Sequence, residues 1–187
     1  MGIFDFFKKN KNIENDNGFN EIYNDSSGYY KLEGYKKDGY RYGLWKSYSK
    51  NGTLKKEENY KKGARHGESK TFGHFGIMYE GNYKYGEKDG VWTWYAGYPN
   101  KSMVQFYVKG EQHGTQLAFW NVGTTLQSET NYRHGVREGI QKWYYENGQL
   151  GTETDYNEGK LIFKKCWDEN GNEIDEESFT GHSFGVK

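Results

Sequence analysis

The sequence predicts an all-β protein: an elongated, single-layer antiparallel sheet of stacked β-hairpins, begun by a short capping helix. Three observations predict it. Six tyrosines, Tyr35, Tyr60, Tyr83, Tyr107, Tyr132 and Tyr156, recur at intervals of 25, 23, 24, 25 and 24 residues. Self-similarity at a period of about 20–50 residues marks an array built from one supersecondary unit. Each tyrosine opens a phrase with a glycine, usually a second glycine four residues on, and then aromatics, a spacing that leaves no 3.6-residue apolar stripe for a helix. Finally, Asn51-Gly52 and Asn147-Gly148 lie between β-prone runs, and Asn-Gly in that setting is a strong hairpin signal.

The elements follow in order. Residues 1–17 form an N-terminal segment in which 2–11 reads as a short amphipathic helix with Ile3, Phe4 and Phe7 on one side. The end of an array must hide its open edge to stay soluble, and this segment is the candidate cap. The repeat array spans 18–174, in about six hairpin units. Its first unit is degenerate: residues 18–23, a turn at Asp25-Ser26-Ser27-Gly28, then residues 29–34, with no leading tyrosine. Gly76, Gly123 and Gly171 stand where other units carry Asn-Gly, and Gly76 and Gly123 suggest bulges. The unit opened by Tyr156 has Phe163 in place of its second glycine and is expected to close on a strand near 164–167. Residues 175–187 read as a poorly ordered tail.

Register can be worked out on paper. A two-residue turn at Asn51-Gly52 sets Lys46 opposite Glu57, and one at Asn147-Gly148 sets Lys142 opposite Glu153. Opposite charges facing across a hairpin contribute roughly 0.2–1 kcal/mol. Side chains alternate between faces with period two, so the rest follows. A first face carries the repeat tyrosines together with Trp45, Trp92, Trp94, Trp120, Trp143 and Tyr145. A second face carries Tyr48, Phe72, Tyr95, Phe119 and Tyr144, with the acids Glu57, Glu80, Glu129 and Glu153.

Composition bounds the function. Lys plus Arg and Asp plus Glu both number 26, so the net charge is zero. That argues against general capture of nucleic acid, whose affinity comes from neutralised phosphates, and equally against an anionic membrane. Cys166 is the single cysteine, so neither an internal disulfide nor a CxxC metal site is possible. No run approaches the ~18 apolar residues of a membrane span. The first residues lack the layout of a secretory signal, and Phe6 stands where a myristoylation motif requires Ser or Thr. The chain reads as cytoplasmic.

The search for chemistry is short. His66, His113 and His134 each precede a repeat glycine, but equivalent positions two strands apart lie about 9.5 Å from one another, too far to share a metal. The recurring glutamates form a periodic row, whereas an acid–base pair needs two singular environments. No nucleophile elbow, P-loop or zinc signature occurs. We therefore expect a non-enzyme without cofactor or metal. Two roles stand open for the tryptophans. They read either as bricks of the aromatic stack or as anchors for a partner, since exposed Trp and Tyr are favoured at interfaces. The candidate partner-binding set is Trp45, Trp92, Trp94, Trp120, Trp143 and Tyr145, with Glu80 and Glu129 complementing a basic target.

The clearest copy, Tyr132-x-x-Gly135-x-x-x-Gly139-x-x-x-Trp143-Tyr144-Tyr145-x-Asn147-Gly148-x-Leu150, resembles the bacterial variant of the MORN repeat. The stretch from Tyr35 to Leu54 is similar, with one extra residue before Gly39. The resemblance covers roughly residues 18–174 and implies hairpins stacked in a single twisted sheet. It also implies an antitoxin or immunity component: a protein, monomeric when free, that binds a cognate toxin and occludes it. The alternative implication is a membrane-associated or protein-scaffolding module.

Overall fold

The computed structural model describes residues 12–23, 28–120 and 124–179. The helix expected at 2–11, the turn residues 25–27 and Gly123 lie outside the described residues. The described chain is all β apart from one 3₁₀ turn at Glu176–Ser178. It divides into two compact units, residues 1–74 with 83–87 and residues 75–82 with 88–187.

The first unit contains β1 (Gly18–Tyr23), β2 (Lys31–Lys37), β3 (Tyr40–Tyr48), β4 (Leu54–Lys61) and β5 (Ala64–Gly73), each antiparallel to its predecessor. β6 (Gly76–Lys84) and β7 (Glu87–Gly97) give their turn residues to this unit and their bodies to the second. The second unit continues with β8 (Asn100–Val108), β9 (Glu111–Gln112), β10 (Gly114–Phe119) and β11 (Leu126–Arg133). It ends with β12 (Val136–Arg137), β13 (Gly139–Tyr144), β14 (Leu150–Asn157), β15 (Lys160–Trp167) and β16 (Glu173–Ile174). β9 pairs with β8 and β12 with β11, so each is the opening of a strand that bulges before continuing as β10 or β13.

Both glycines of the repeat phrase have a conformational reason. The first closes a two-residue turn: Asp38-Gly39, Lys62-Gly63, Tyr85-Gly86, Lys109-Gly110, His134-Gly135 and Glu158-Gly159 all carry positive φ at both positions. That is the type I′ hairpin turn, whose twist matches the flanking strands. The second glycine, such as Gly43 (φ 67°) or Gly139 (φ 71°), is left-handed inside a strand and marks a bulge. In β3 the ladder jumps from Gly34↔Trp45 to Tyr35↔Tyr42 across it.

The Asn-Gly ends differ from expectation. Lys46↔Glu57 and Lys142↔Glu153 pair as predicted, and so do Ser47↔Lys56 and Trp143↔Thr152, but the step after these slips to Tyr48↔Leu54 and Tyr144↔Leu150. Only Gly52 and Gly148 have positive φ there, and the backbone closes through Ser49 N–H to Thr53 O and Tyr145 N–H to Gln149 O. These are wider turns ending in a bulge, because Asn51 and Asn147 cap the loop by accepting backbone N–H groups with their side chains instead of taking a left-handed conformation.

The first edge is covered by extended chain. Ile13 exchanges two backbone hydrogen bonds with Glu21. The fully buried Asn20 side chain accepts from Asn15 N–H and donates to the carbonyls of Asn15 and Gly18. At the other end the closing strand is longer than expected, beginning at Lys160, and the two-residue β16 follows it. Residues 175–179 turn back so that Phe179 lies against Trp143 and Tyr145, at 5.6 and 6.2 Å between ring centroids.

With few aliphatic residues, burial is achieved by indoles laid over glycines. Trp45 covers Gly34 and Trp143 covers Gly151, where a Cβ would come within 2.5 Å of the ring, and Trp92 covers Gly81 in the same way. Trp45 and Trp92 donate their indole N–H to the carbonyls of Tyr35 and Asn82, both at 3.0 Å. Trp45 and Trp92 thus keep their single donor satisfied while the ring face contacts bare backbone, whereas the buried Trp143 indole N–H has no hydrogen-bond partner among the described residues.

Candidate functional site

On the first face of the first unit, a cation stacks after each tyrosine. The Arg41 guanidinium lies 4.6 Å from the centre of the Trp45 ring and 5.4 Å from that of Tyr60, and Arg65 lies 4.1 Å from that of Tyr83. Arg41 also donates to Tyr60 Oη at 3.4 Å and Arg65 to Tyr83 Oη at 2.8 Å. One carboxylate serves this ladder: Glu58 accepts from Tyr60 Oη at 3.1 Å and lies 3.8 Å from Arg65. Sequence reasoning missed the ladder, although its signal was present in a basic residue five or six places after four of the repeat tyrosines: Arg41, Arg65, Lys88 and Arg137.

In the second unit Lys88 takes the place of arginine, with its Nζ 4.5, 4.9 and 4.6 Å from the ring centres of Trp92, Trp94 and Tyr107. Two of the predicted anchors are therefore walls around a cation of their own chain. Further on, Arg137 stands opposite Tyr132 and donates to Tyr156 Oη at 3.4 Å. It lies 5.5 Å from the Tyr156 ring centre. Here the face opens into a groove of about 760 Å³. Its floor is short and neutral, including Ala118, Ser128, Thr130, Thr152 and Thr154, and it is walled by Tyr132, Tyr156, Trp143 and Phe179. Lys164 sits at one end, 2.7 Å from Glu176.

The eight predicted partner residues separate by burial. Trp45, Trp92, Trp143 and Tyr145 are buried in the chain's own packing, Trp92 completely. Tyr145 is also tied by its hydroxyl to the Trp167 carbonyl at 2.9 Å. Trp94 and Trp120 keep part of their surface, and Trp120 donates to the Tyr144 carbonyl at 3.2 Å. Glu80 and Glu129 lie on the second face and accept from Tyr95 and Tyr144 hydroxyls at 2.6 and 3.3 Å. Glu33 and Tyr48 repeat the pairing at the same fifteen-residue offset.

That second face is a charge ladder. Glu33, Lys46, Glu57 and Lys70 stand opposite one another on successive strands of the first unit, and Glu129, Lys142, Glu153 and Lys165 do so in the second. Burial disfavours ionised Glu33, but hydrogen bonds from Lys31 and Tyr48 outweigh it and hold the carboxyl below its usual range. Burial and the bond to Glu33 push the Tyr48 phenol up to about 12. The histidines approach more closely than the strand spacing predicted, with the His113 and His134 rings 5.3 Å apart. His134 meets Glu111 at 3.0 Å, because side chains on adjacent tight turns lean together. Among the described residues no three His, Cys, Asp or Glu side chains are placed to hold a metal ion.

The fold and these two faces define an all-β hairpin-repeat protein. Residues 41–62 and 137–158 match the MORN repeat variant. MORN repeats are generally protein- or membrane-binding modules. No curated protein matches the chain. Among the described residues no helix is long and apolar enough to cross a membrane.

Proposed function

We propose that this chain is a non-enzymatic protein-binding module of the immunity or antitoxin kind, which neutralises a toxin by covering its working face. The observation that supports it is the groove of the second unit, a preformed concavity on an open sheet, with aromatic walls and a neutral floor. A preformed surface loses little conformational entropy on association, and partly exposed aromatics such as Trp94 and Trp120 are efficient anchors. The toxin as partner is what the repeat resemblance implies. Co-expression with the product of the adjacent gene tests it: the pair should restore growth and co-elute as a complex. A neighbour that is harmless alone and never binds sinks the reading.

A further inference from the structure

We infer that the groove of the second unit docks an acidic segment of a protein partner, whose carboxylate pairs with Arg137 between Tyr132 and Tyr156. This rests on the protein-binding reading above and names the chemistry of the partner at that site.

Two independent observations carry it. The first comes from the repeat itself. In the first unit the residue two places before a repeat tyrosine is Glu58, and it lies within ion-pair distance of Arg65. The corresponding residues around Arg137 are Thr130 and Thr154, which cannot neutralise a guanidinium. Among the described residues no carboxylate lies within 4.0 Å of Arg137, and its partners are the phenols of Tyr132 and Tyr156. A planar guanidinium carries five donors suited to bidentate carboxylate, more than two phenols can take up, and Arg137 lines the groove.

The second observation shows what this face accepts. The chain's own Glu176–Phe179 stretch occupies the far end of the groove. Its Glu176 carboxylate meets Lys164 at 2.7 Å, and the Phe179 ring packs on Trp143 and lies 5.8 Å from Lys164 Nζ. The first face thus binds an acid followed three residues later by an aromatic, using a cation and an aromatic wall. Arg137 with Tyr156 repeats that pairing of cation and ring beside the neutral floor. A peptide satisfies both features at once, whereas a phosphate-bearing surface would use the cation and leave the aromatic wall unmatched.

The test uses the full chain and a fluorescein-labelled peptide copying residues 175–179, with an Asn/Gln version of the same peptide as control. The acidic peptide should bind in fluorescence anisotropy and the amide version about tenfold more weakly. Arg137→Gln and Thr130→Glu should each weaken the acidic peptide by a similar factor, while Arg137→Lys, which keeps the charge without the planar fork, weakens it less, and thermal melts confirm that all variants fold. Equal binding of both peptides, no binding of either, or indifference to Arg137→Gln and Thr130→Glu overturns the inference. So does a chain that sediments with phosphatidylserine vesicles through Arg137 yet ignores the peptide. Co-elution of the neighbouring gene product with both wild type and Thr130→Glu would sink the groove and leave the proposed function standing. Peptide binding by a chain whose neighbour never co-elutes would do the reverse.

Discussion

The first faces of the two units are built from one repeat phrase and differ at one carboxylate, Glu58 beside Arg65. In the first unit Arg41, Tyr60, Glu58, Arg65 and Tyr83 form a connected network in which each cation meets a ring, a hydroxyl or a carboxylate. In the second unit the network around Arg137 has the rings and hydroxyls but, among the described residues, no carboxylate, and there the surface is hollow. The residue two places before the repeat tyrosine, Glu58 in the first unit and Thr130 and Thr154 in the second, separates the Arg65 pair from a face that offers a cation to the groove. In an array, the shared positions build the stack, and the positions that differ between copies carry individuality.

The largest effect should come from the indoles that both units share. Trp45→Ala and Trp92→Ala are expected to cost about 3–5 kcal/mol each, since a buried aromatic leaves a cavity and an orphaned carbonyl. Gly34→Ala and Gly81→Ala force the same rings outward and should cost about 1–3 kcal/mol. Urea denaturation measures all four; unchanged midpoints would show that the rings are not the core of either unit.

Next in size is the carboxylate that distinguishes the faces. Glu58→Gln should destabilise by about 1 kcal/mol, because Tyr60 keeps a weaker acceptor and Arg65, itself well exposed, loses a screened partner. Thr130→Gln, a like-sized amide in the second unit, should leave the melting temperature nearly unmoved. Equal losses in the two variants would mean that the two faces are not electrostatically different.

A smaller effect is expected on the second face. Tyr95→Phe removes the hydroxyl that donates to Glu80 and should cost about 0.5–1.5 kcal/mol. Two sister positions already carry Phe72 and Phe119, so the ring alone is tolerated there. A melt of Tyr95→Phe indistinguishable from wild type would assign the hydroxyl no share in stability.

The smallest effect is a pH dependence. Glu33 is held below its ordinary value of 4.5, so it binds fewer protons folded than unfolded. Its contribution is complete above 4.5 and is lost as pH falls through the lower folded value. Comparing urea midpoints at about pH 6 and about pH 3, Glu33→Gln should lose less on acidification than wild type. Parallel losses would exclude Glu33 as a source of the acid sensitivity.

Much of the fold was legible because hairpin register is a local property. Lys46 with Glu57 and Lys142 with Glu153 follow from counting outward from a turn, even though the turn itself proved wider than two residues. The bulges at the second glycines were less legible, since a glycine in a strand does not announce whether it bends the chain or clears room for a ring. The candidate site was legible only in residue type. Trp92 and Trp143 belong to the candidate partner-binding set, yet burial spends them on Gly81 and Gly151. Arg137, which lines the groove, carries no signal in the sequence that sets it apart from the other basic residues.

What the sequence determined by itself is the succession of antiparallel hairpins, their registers and the alternation of faces, because these depend on turn chemistry and a period of two within a few residues. Only the tertiary structure decided which aromatics are buried, which glutamates are taken by tyrosines and which guanidinium opens on a groove. Those outcomes depend on side chains about twenty residues apart in sequence, such as Arg137 and Tyr156, whose partners are chosen only when one hairpin is laid against the next.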